Sequence, residues 1–457
     1  MKFYRIIFCA VIVCSIYLIF NYELNWVHPE MSDIIEHTMR IGSAISLKDL
    51  FPYENFFEPA RLRFICFLLL KINIRFRLWL WHYIPPHPSL ALTWLFTLIL
   101  SPILMFNFVY NFIGERIIAW IALILYMVSS AFLSGINLFF IPAKPMTNFF
   151  AILCLYIASK MKVFIDSGKY FSRKVMVLYV FLLTVLFISF LTDEMTFLAY
   201  FCLPFLFVGI FNGMKRKKIL YFLYFLPFIL FIIFAFILEM KTQSYFFYYL
   251  LHGFKGGHCG GWGGFKIVHF LTNFYNTLSI NLSPFHFIFG AKEILMHRII
   301  FFIFLCLLFI YFKIPDRKKV LRSAMAAAFF LIGYAFFSQF YGGGIMPGSV
   351  YGSMFSIFFV LPVSILLFQS GKILGQINKI IFILFVIAYL QNHIYLTKFW
   401  INSHYNNSIS ADGKLTFSMV RDAWNNRANN AVLFRMQEKY PKKAEWLFTE
   451  FKYLNHN

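Results

Sequence analysis

The sequence predicts an all-α polytopic membrane protein with about 11 transmembrane helices and an amphipathic juxtamembrane helix in its first outer loop. Of the 457 residues, 61% are hydrophobic and 13% are charged, and the mean hydropathy is +0.72. Apolar runs of near-spanning length recur along the chain, as a hydrocarbon core about 30 Å thick requires. The connections between the runs alternate between basic sequence and sequence without Lys or Arg. A soluble domain of this length could not bury so large an apolar share.

Each predicted span is an apolar run with few charges. The runs lie at 4–21, 88–112, 117–140, 146–163, 175–192, 196–213, 219–238, 299–313, 321–340, 349–369 and 380–397. Lys2 and Arg5, near the start of the first run, make it resemble a signal peptide, but no small-x-small cleavage site follows it. We therefore expect a retained first helix, with cleavage as the alternative.

The charges of the short connections predict the orientation of the chain. The basic connections are 160–174, 214–218, 313–322 and 371–379. The connections at 192–194 and 341–349 contain no Lys or Arg. Because cytoplasmic loops are enriched in Lys and Arg, we expect the N-terminus and the basic connections in the cytoplasm and the C-terminus outside. A bacterial inner membrane, with the C-terminus periplasmic, fits this pattern best.

The predicted spans divide the chain into two parts. Residues 1–397 are expected to form one transmembrane catalytic domain, and residues 398–457 an extracytoplasmic helical tail. Within the first part, 22–87 is the first outer loop with its interfacial helix. Residues 239–298, which contain several Gly and His, form a second long outer loop.

Composition also bears on partners and metals. The formal net charge of +22 is spread over many loops and is not gathered in one basic domain. Attraction to anionic membrane lipids, or to a phosphate-bearing lipid substrate, explains this better than nucleic-acid binding. The seven cysteines show no CxxC and no Cys/His ligand spacing, so neither a zinc site nor a disulfide framework is predicted.

Carboxylates are concentrated directly after the first apolar run. Seven of the 19 acidic residues lie between positions 23 and 58. The stretch "NWVHPEMSDIIEH" contains Glu30, Asp33 and Glu36, and the last two share one face if the stretch is helical. A carboxylate just above a membrane is suited to general-base chemistry on an acceptor hydroxyl. The alternative for most of these acids is a solvated loop surface.

A second pair of acids lies in the outer corner "FLTDEMTF" at 190–197. Asp193 and Glu194 follow an apolar run directly, where burial would disfavour the charged form unless a cation or metal is close. They are candidates for a second acidic site that binds the acceptor. A plain corner cap is the alternative.

The segment 61–81, "RLRFICFLLLKINIRFRLWLW", mixes cations with large apolar residues. Charges at the centre of a spanning helix are costly, so this segment is predicted to be an amphipathic helix in the interface. Its cations are candidates for binding a donor phosphate, with interfacial anchoring as the alternative. They are Arg61, Arg63, Lys71, Arg75 and Arg77.

The loop "HGFKGGHCGGWGGF" contains glycines together with His252, His258 and Trp262. Trp262 could stack on a sugar ring, and the loop could close over a substrate. A flexible loop without chemistry is the alternative. No phosphate-loop pattern is present, and the histidines lack metal-ligand spacing.

Taken together, the acidic first loop and the basic helix resemble the GT-C class of integral membrane glycosyltransferases. This class includes protein O-mannosyltransferases, aminoarabinose transferases and serotype-converting glucosyltransferases of enteric bacteria and their phages. The stretch "HPEMSDIIEHTMRIGSAISLKDLFPY" is similar to the acidic first-loop stretch of the class, and 61–81 is similar to its juxtamembrane helix. The adjacent Asp-Glu pair common in that loop is absent; spaced Glu30, Asp33 and Glu36 stand there instead.

The resemblance implies an inverting hexosyltransferase that uses a polyprenyl-phosphate-sugar donor. Its acceptor would be a surface polysaccharide or a lipid-linked glycan, as in O-antigen or lipopolysaccharide modification. Asp33, then Glu36 and Glu30, would be the catalytic base, with Asp193 and Glu194 as the second acidic site. No organic cofactor is implied, and a divalent cation is an open alternative because metal dependence varies within the class.

Two other functions fit the composition. An O-antigen polymerase or ligase would also have about a dozen helices, but it would depend on basic residues in an outer loop such as 252–298. A polysaccharide or lipid transporter or flippase should place ionisable residues at mid-membrane. The predicted spans are nearly free of charge, which disfavours the transporter.

Overall fold

The computed structural model describes residues 2–21, 64–80, 83, 92–137, 143–169, 172–193, 196–207, 217–242, 266–282, 317–342, 354–380, 382–384, 386–387 and 390. All regular elements within these ranges are helical, with no strand among them. The predicted all-α class is therefore confirmed. The predicted number of spans also depends on runs such as 299–313, which lie outside the described residues.

The described residues form twelve α-helices. They are α1 Lys2–Asn21, α2 Phe64–Leu80, α3 Ser101–Ile113, α4 Arg116–Met127, α5 Ser130–Asn137, α6 Ala143–Asp166, α7 Arg173–Phe190, α8 Thr196–Leu206, α9 Lys217–Thr242, α10 Ile267–Leu282, α11 Arg317–Gly342 and α12 Phe355–Leu374. A π-helical stretch, Leu95–Leu100, leads directly into α3. Within the segment 61–81, the described residues 64–80 are thus helical, as its pattern predicts.

Five helical segments of the described chain are long and apolar enough to cross a membrane. They are Leu95–Ile113, Pro145–Asp166, Arg173–Phe190, Arg317–Phe336 and Phe355–Lys372. Shorter apolar helices accompany them at Arg116–Met127, Thr196–Leu206 and Leu223–Phe234. Many large apolar side chains on these helices are exposed, which suits hydrocarbon better than water. The chain is a membrane protein.

The helices form one packed core. Helix α6 packs against α3 and α7, and α11 packs against α8, α10 and α12. Helix α12 also contacts α4, which in turn packs against α1. Met105, Ile152 and Phe330 are completely buried in the shared core. α1 is part of this packing, because the rings of Phe8 and Trp120 lie 5.3 Å apart.

Polar side chains join neighbouring helices inside the core. Ser130 and Ser356 share a hydrogen bond of 2.8 Å between their hydroxyls. The Asn148 side-chain amide donates to the Ala131 carbonyl at 3.1 Å. Membrane helices gain little from hydrophobic association, so such bonds and close van der Waals contacts select which faces meet.

The predicted single span over 117–140 is wrong, because the helix is interrupted at Val128 and Ser129. The Ser129 backbone N–H and hydroxyl both donate to the Tyr126 carbonyl, at 3.0 and 2.6 Å. This local bonding offers the backbone an alternative to helix continuation. The 12 residues of α4 rise about 18 Å, well short of a bilayer core.

The prediction of one long outer loop over 239–298 is wrong in part, because helix α10 lies within it. It packs against α11 and α12, and its Asn273 and Thr277 side chains are buried. Part of that segment therefore belongs to the helical core. Its flanks, including the Gly- and His-containing stretch, lie outside the described residues.

The start of α1, the α3–α4 turn, the start of α11 and the residues after α12 lie at the same end of the bundle, which we call the basic end. The Lys319 ammonium donates to the Ile113 carbonyl at 3.4 Å. The Lys379 ammonium lies 5.8 Å from the centre of the Phe3 ring. Asn111 bonds to Ser159 at 3.4 Å, which places the C-terminal part of α6 at this end as well.

Candidate functional site

The α7–α8 corner lies at the end of α7 remote from the basic end, and its backbone is closed by hydrogen bonds. The N–H groups of Thr192 and Asp193 both donate to the Ser189 carbonyl, at 3.0 and 3.2 Å. The Asp193 carbonyl accepts from the Thr196 N–H at 3.1 Å and from the Thr196 hydroxyl at 2.8 Å. These bonds end α7 and begin α8, so the corner is a defined turn.

Helix α2 begins at this corner. The Ile65 N–H, in its first turn, donates to the Leu191 carbonyl at 3.0 Å. First-turn N–H groups have no partner within their own helix, so an external acceptor stabilises the helix start. The bond brings the basic first-loop helix next to the acidic corner, two features that the sequence presents separately.

Asp193 is completely buried, with 0% of its side chain exposed. A buried carboxylate is stable only when it is hydrogen-bonded or paired with a cation. Its position at the meeting point of α2, α7 and α8 favours anchoring of the corner, which is the cap alternative. Binding of an acceptor by Asp193 stays a prediction.

A second contact holds α2 further along its length. The Asn73 amide donates to the Thr93 hydroxyl at 3.0 Å, and the Thr93 N–H donates back to the Asn73 oxygen at 3.1 Å. Both side chains are buried. Thr93 immediately precedes the helical turn that leads into α3, so this double bond joins α2 to the start of a membrane-spanning segment.

The helical register separates the two sides of α2. Cys66 and Asn73, two turns apart, are buried, whereas Ile72 and Trp79 are exposed. At about 100° per residue, the backbone positions of Lys71 and Arg75 lie on the side of the helix away from Asn73. The position of Arg77 is nearer to that of Asn73.

An aromatic layer supports the corner from within the core. The Phe190 ring lies 4.6 Å from Phe197, 5.6 Å from Tyr200 and 6.0 Å from Phe231, between ring centres. Phe197 also contacts Phe228 at 5.3 Å. These rings come from α7, α8 and α9, so the corner rests on three helices.

A pair of tyrosines joins α8 to α9. The Tyr200 hydroxyl donates to the Tyr224 carbonyl at 2.9 Å, and the Tyr224 hydroxyl donates to the Tyr200 carbonyl at 2.8 Å. Pro204 lies inside α8 and lacks the N–H that would normally bond to the Tyr200 carbonyl. The Tyr224 hydroxyl therefore satisfies an acceptor that the proline leaves open.

A small cavity lies just below the corner. It measures about 10 Å³ and is lined by polar groups of Ser189, Thr196 and Tyr200 and by apolar residues that include Cys154 and Phe358. That volume suits one water molecule. It is far too small for a sugar ring, so a sugar substrate would have to bind elsewhere.

Most of the predicted site residues lie outside the described residues. These are Glu30, Asp33, Glu36, Arg61, Arg63, Glu194, His252, His258 and Trp262. Lys71, Arg75 and Arg77 have described backbone positions in α2 only. The structure does place Asp193, and it adds the Ile65–Leu191 and Asn73–Thr93 contacts, which the sequence analysis missed. The one feature of the sequence that could have indicated the Asn73–Thr93 contact is Asn73 itself, an amide within an apolar run.

The described ranges contain no group of three or more His, Cys, Asp or Glu side chains arranged to hold a metal ion. Comparison with known proteins adds no family assignment to this geometry. No family model matches the chain, and no curated protein and no solved structure matches it.

Proposed function

We propose that this protein is a membrane glycosyltransferase of the GT-C type, which moves a hexose from a polyprenyl-phosphate donor to a glycan acceptor outside the cytoplasm. One observation carries the proposal: the Ile65–Leu191 hydrogen bond, which puts the start of the basic helix α2 against the Asp193 corner. The cations of the α2 segment, proposed to bind the donor phosphate, and the acids of the Asp193 corner, proposed to bind the acceptor, then belong to one region of the protein.

The course of the first loop supports this placement. Helix α1 starts at the basic end, and its 20 residues rise about 30 Å, the thickness of a bilayer core. Its last residue, Asn21, is therefore at the opposite end, where α2 also begins. The acidic stretch 23–58 connects these two points, so we infer that it lies over the same membrane face as the corner.

Charge supports the orientation. The basic end carries the Lys- and Arg-rich connections and is assigned to the cytoplasm by the positive-inside rule. The corner and the first loop then face outward, where sugars arrive on lipid carriers. The interfacial position of α2 is part of this proposal, and its exposed Ile72 and Trp79 suit a membrane boundary.

The reaction we propose is an inverting displacement. Asp33, or alternatively Glu36 or Glu30, accepts the proton of an acceptor hydroxyl, whose oxygen attacks the anomeric carbon of the donor sugar. The bond from that carbon to the phosphate oxygen breaks, and the phosphate leaves with the electron pair. Cations of the basic segment stabilise the departing phosphate. They are Arg61, Arg63, Lys71, Arg75 and Arg77.

The other predicted residues have supporting roles in this proposal. Glu194 is the alternative to the buried Asp193 as the acid that binds the acceptor. His252, His258 and Trp262 would belong to a loop that covers the substrate. A divalent cation could assist phosphate departure, and the donor, the acceptor and membrane lipids are the expected partners.

The test is sugar transfer from synthetic polyprenyl-phosphate hexoses by the purified protein in lipid vesicles. Asp33→Asn and Glu36→Gln remove the candidate bases, and at least one should lower transfer by about 100-fold or more. Glu115→Gln is the matched control, because Glu115 is an exposed acid at the basic end. Wild-type transfer by both first-loop variants would exclude the mechanism.

A further inference from the structure

The turn between α6 and α7, at the basic end, presents three exposed cations. Lys169 precedes α7, and Arg173 and Lys174 are its first two residues. The first turn of α7 contains no acidic residue. We call these three residues the cation group.

Asp166, the described carboxylate closest to the cation group in sequence, is already paired. The Lys162 ammonium contacts both oxygens of Asp166, at 2.9 and 2.7 Å. Within the described residues, no carboxylate forms an ion pair with a member of the cation group. Among the described residues, these positive charges are therefore solvated and open to an added anion.

An exposed apolar surface begins one turn below the cation group. Val177 and Val180 are each 59% exposed, and Met176 and Phe181 are exposed as well. Spacings of three and four residues place these side chains along one side of α7, in line with Arg173. Cations above a stripe of hydrocarbon match the two chemical parts of a phospholipid.

We propose that this side of α7 binds an anionic phospholipid, with its headgroup phosphate at Lys169, Arg173 and Lys174 and an acyl chain along Val177, Val180 and Phe181. An anionic lipid fits better than a zwitterionic one, since the choline of phosphatidylcholine adds a positive charge next to three others. The proposal concerns the basic end and does not rest on the proposed glycosyltransferase function.

The experiment compares lipid binding by the purified full chain in neutral detergent. Phosphatidylglycerol and phosphatidylcholine are titrated separately, and bound lipid is counted by native mass spectrometry. At about 1 kcal/mol for each cation near an anionic headgroup, the triple variant Lys169→Gln, Arg173→Gln, Lys174→Gln should bind phosphatidylglycerol about 100-fold more weakly.

Lys162→Gln is the matched control, because it removes a nearby cation, close to the end of α6, that is already paired with Asp166. It should change the affinity less than about twofold. The single variants Lys169→Gln, Arg173→Gln and Lys174→Gln, each expected to weaken binding by about fivefold, provide the measurement if the triple variant does not fold.

Two results of the lipid titrations would overturn the proposal. One is equal affinity for phosphatidylglycerol and phosphatidylcholine in the wild-type protein. The other is equal loss of affinity in the Lys162→Gln control and in the cation-group variants. Inorganic phosphate is added as a competitor: displacement of the lipid at comparable concentrations would assign the site to free phosphate instead, which also contradicts a lipid site.

Discussion

The backbone N–H of Ile65 donates a hydrogen bond of 3.0 Å to the carbonyl of Leu191, so two segments far apart in sequence meet at the end of α7. The next residue, Cys66, is only 6% exposed. Its thiol can therefore report whether α2 is seated against the corner. A substitution at Ile65 can break this contact without removing any side chain of the proposed site.

We expect Ile65→Pro to release the start of α2. Proline is tolerated in a first helical turn but has no N–H to donate to Leu191. One neutral hydrogen bond contributes about 1 kcal/mol, so maleimide labelling of Cys66 should become about fivefold faster in a variant without the other cysteines. Ile65→Ala keeps the N–H and is the control. Equal labelling rates in the two variants would show that this bond does not seat α2.

Asn73 and Thr93 should behave as a coupled pair. Asn73→Ala leaves the buried Thr93 N–H and hydroxyl without their partner, which costs about 1 to 3 kcal/mol and should lower the thermal midpoint in detergent. Thr93→Val removes the hydroxyl that accepts from the Asn73 amide and keeps the backbone N–H. Because the two residues contact each other, the double variant should be less destabilised than the sum of the single variants. Strict additivity would mean that the bond between the Asn73 amide and the Thr93 hydroxyl contributes nothing.

The Tyr200–Tyr224 pair gives a rescue experiment. Tyr224→Phe removes the donor to the Tyr200 carbonyl, which Pro204 leaves unbonded, and should destabilise the protein by about 1 to 3 kcal/mol. Pro204→Ala restores a backbone N–H at the position that bonds to this carbonyl in a regular helix. Tyr224→Phe with Pro204→Ala should therefore unfold at a higher temperature than Tyr224→Phe alone. A further loss of stability would argue against this role of the hydroxyl.

Gly333 allows α11 to approach α8. A Cβ at this position would lie 2.6 Å from Cδ2 of Leu198, a buried side chain. Overpacking of a core costs about 1 to 3 kcal/mol, more than the helix propensity that alanine gains over glycine. We expect Gly333→Ala to lower the thermal midpoint and Leu198→Ala to relieve part of that loss. A double variant with the summed cost would show that the two residues are not in steric conflict.

The orientation predicts the location of the acidic loop. Alkaline phosphatase fused after residue 40 should be active, because the first loop is expected outside the cytoplasm, whereas a fusion after residue 215 should be inactive. The lysine-rich connection at 214–218 provides the internal control. A cytoplasmic residue 40 would end the proposed mechanism without any activity assay.

Much of the fold was predictable because a helix in a membrane forms its backbone hydrogen bonds within its own segment. The apolar runs at 146–163, 175–192 and 321–340 correspond to α6, α7 and α11, since each run must satisfy its backbone hydrogen bonds internally. The prediction of one span over 117–140 was wrong because Ser129 bonds locally to Tyr126, where the helix is interrupted. A single serine changes the hydropathy of such a run too little to indicate the interruption. α10 was missed because its amide and hydroxyl residues dilute its apolar character.

The candidate site was predictable as residue types but not as an arrangement. The acidic corner and the basic helix segment are visible in the sequence as separate features, and no spacing relates them. The bond between Ile65 and Leu191 joins backbone atoms. Every residue has these atoms, so the pattern of side chains does not predict the bond. The same is true of the Thr93 N–H that bonds to Asn73.

The sequence by itself determined that this is a helical membrane protein with carboxylates gathered after its first apolar run. Apolar composition and charge act through the surrounding lipid and water and need no contact with another part of the chain. Only the tertiary structure decided that Asp193 is buried at the corner and that α2 is joined to Leu191 and Thr93. Those facts depend on which helix faces meet. Close packing and a few hydrogen bonds select those faces between residues that are distant in the chain.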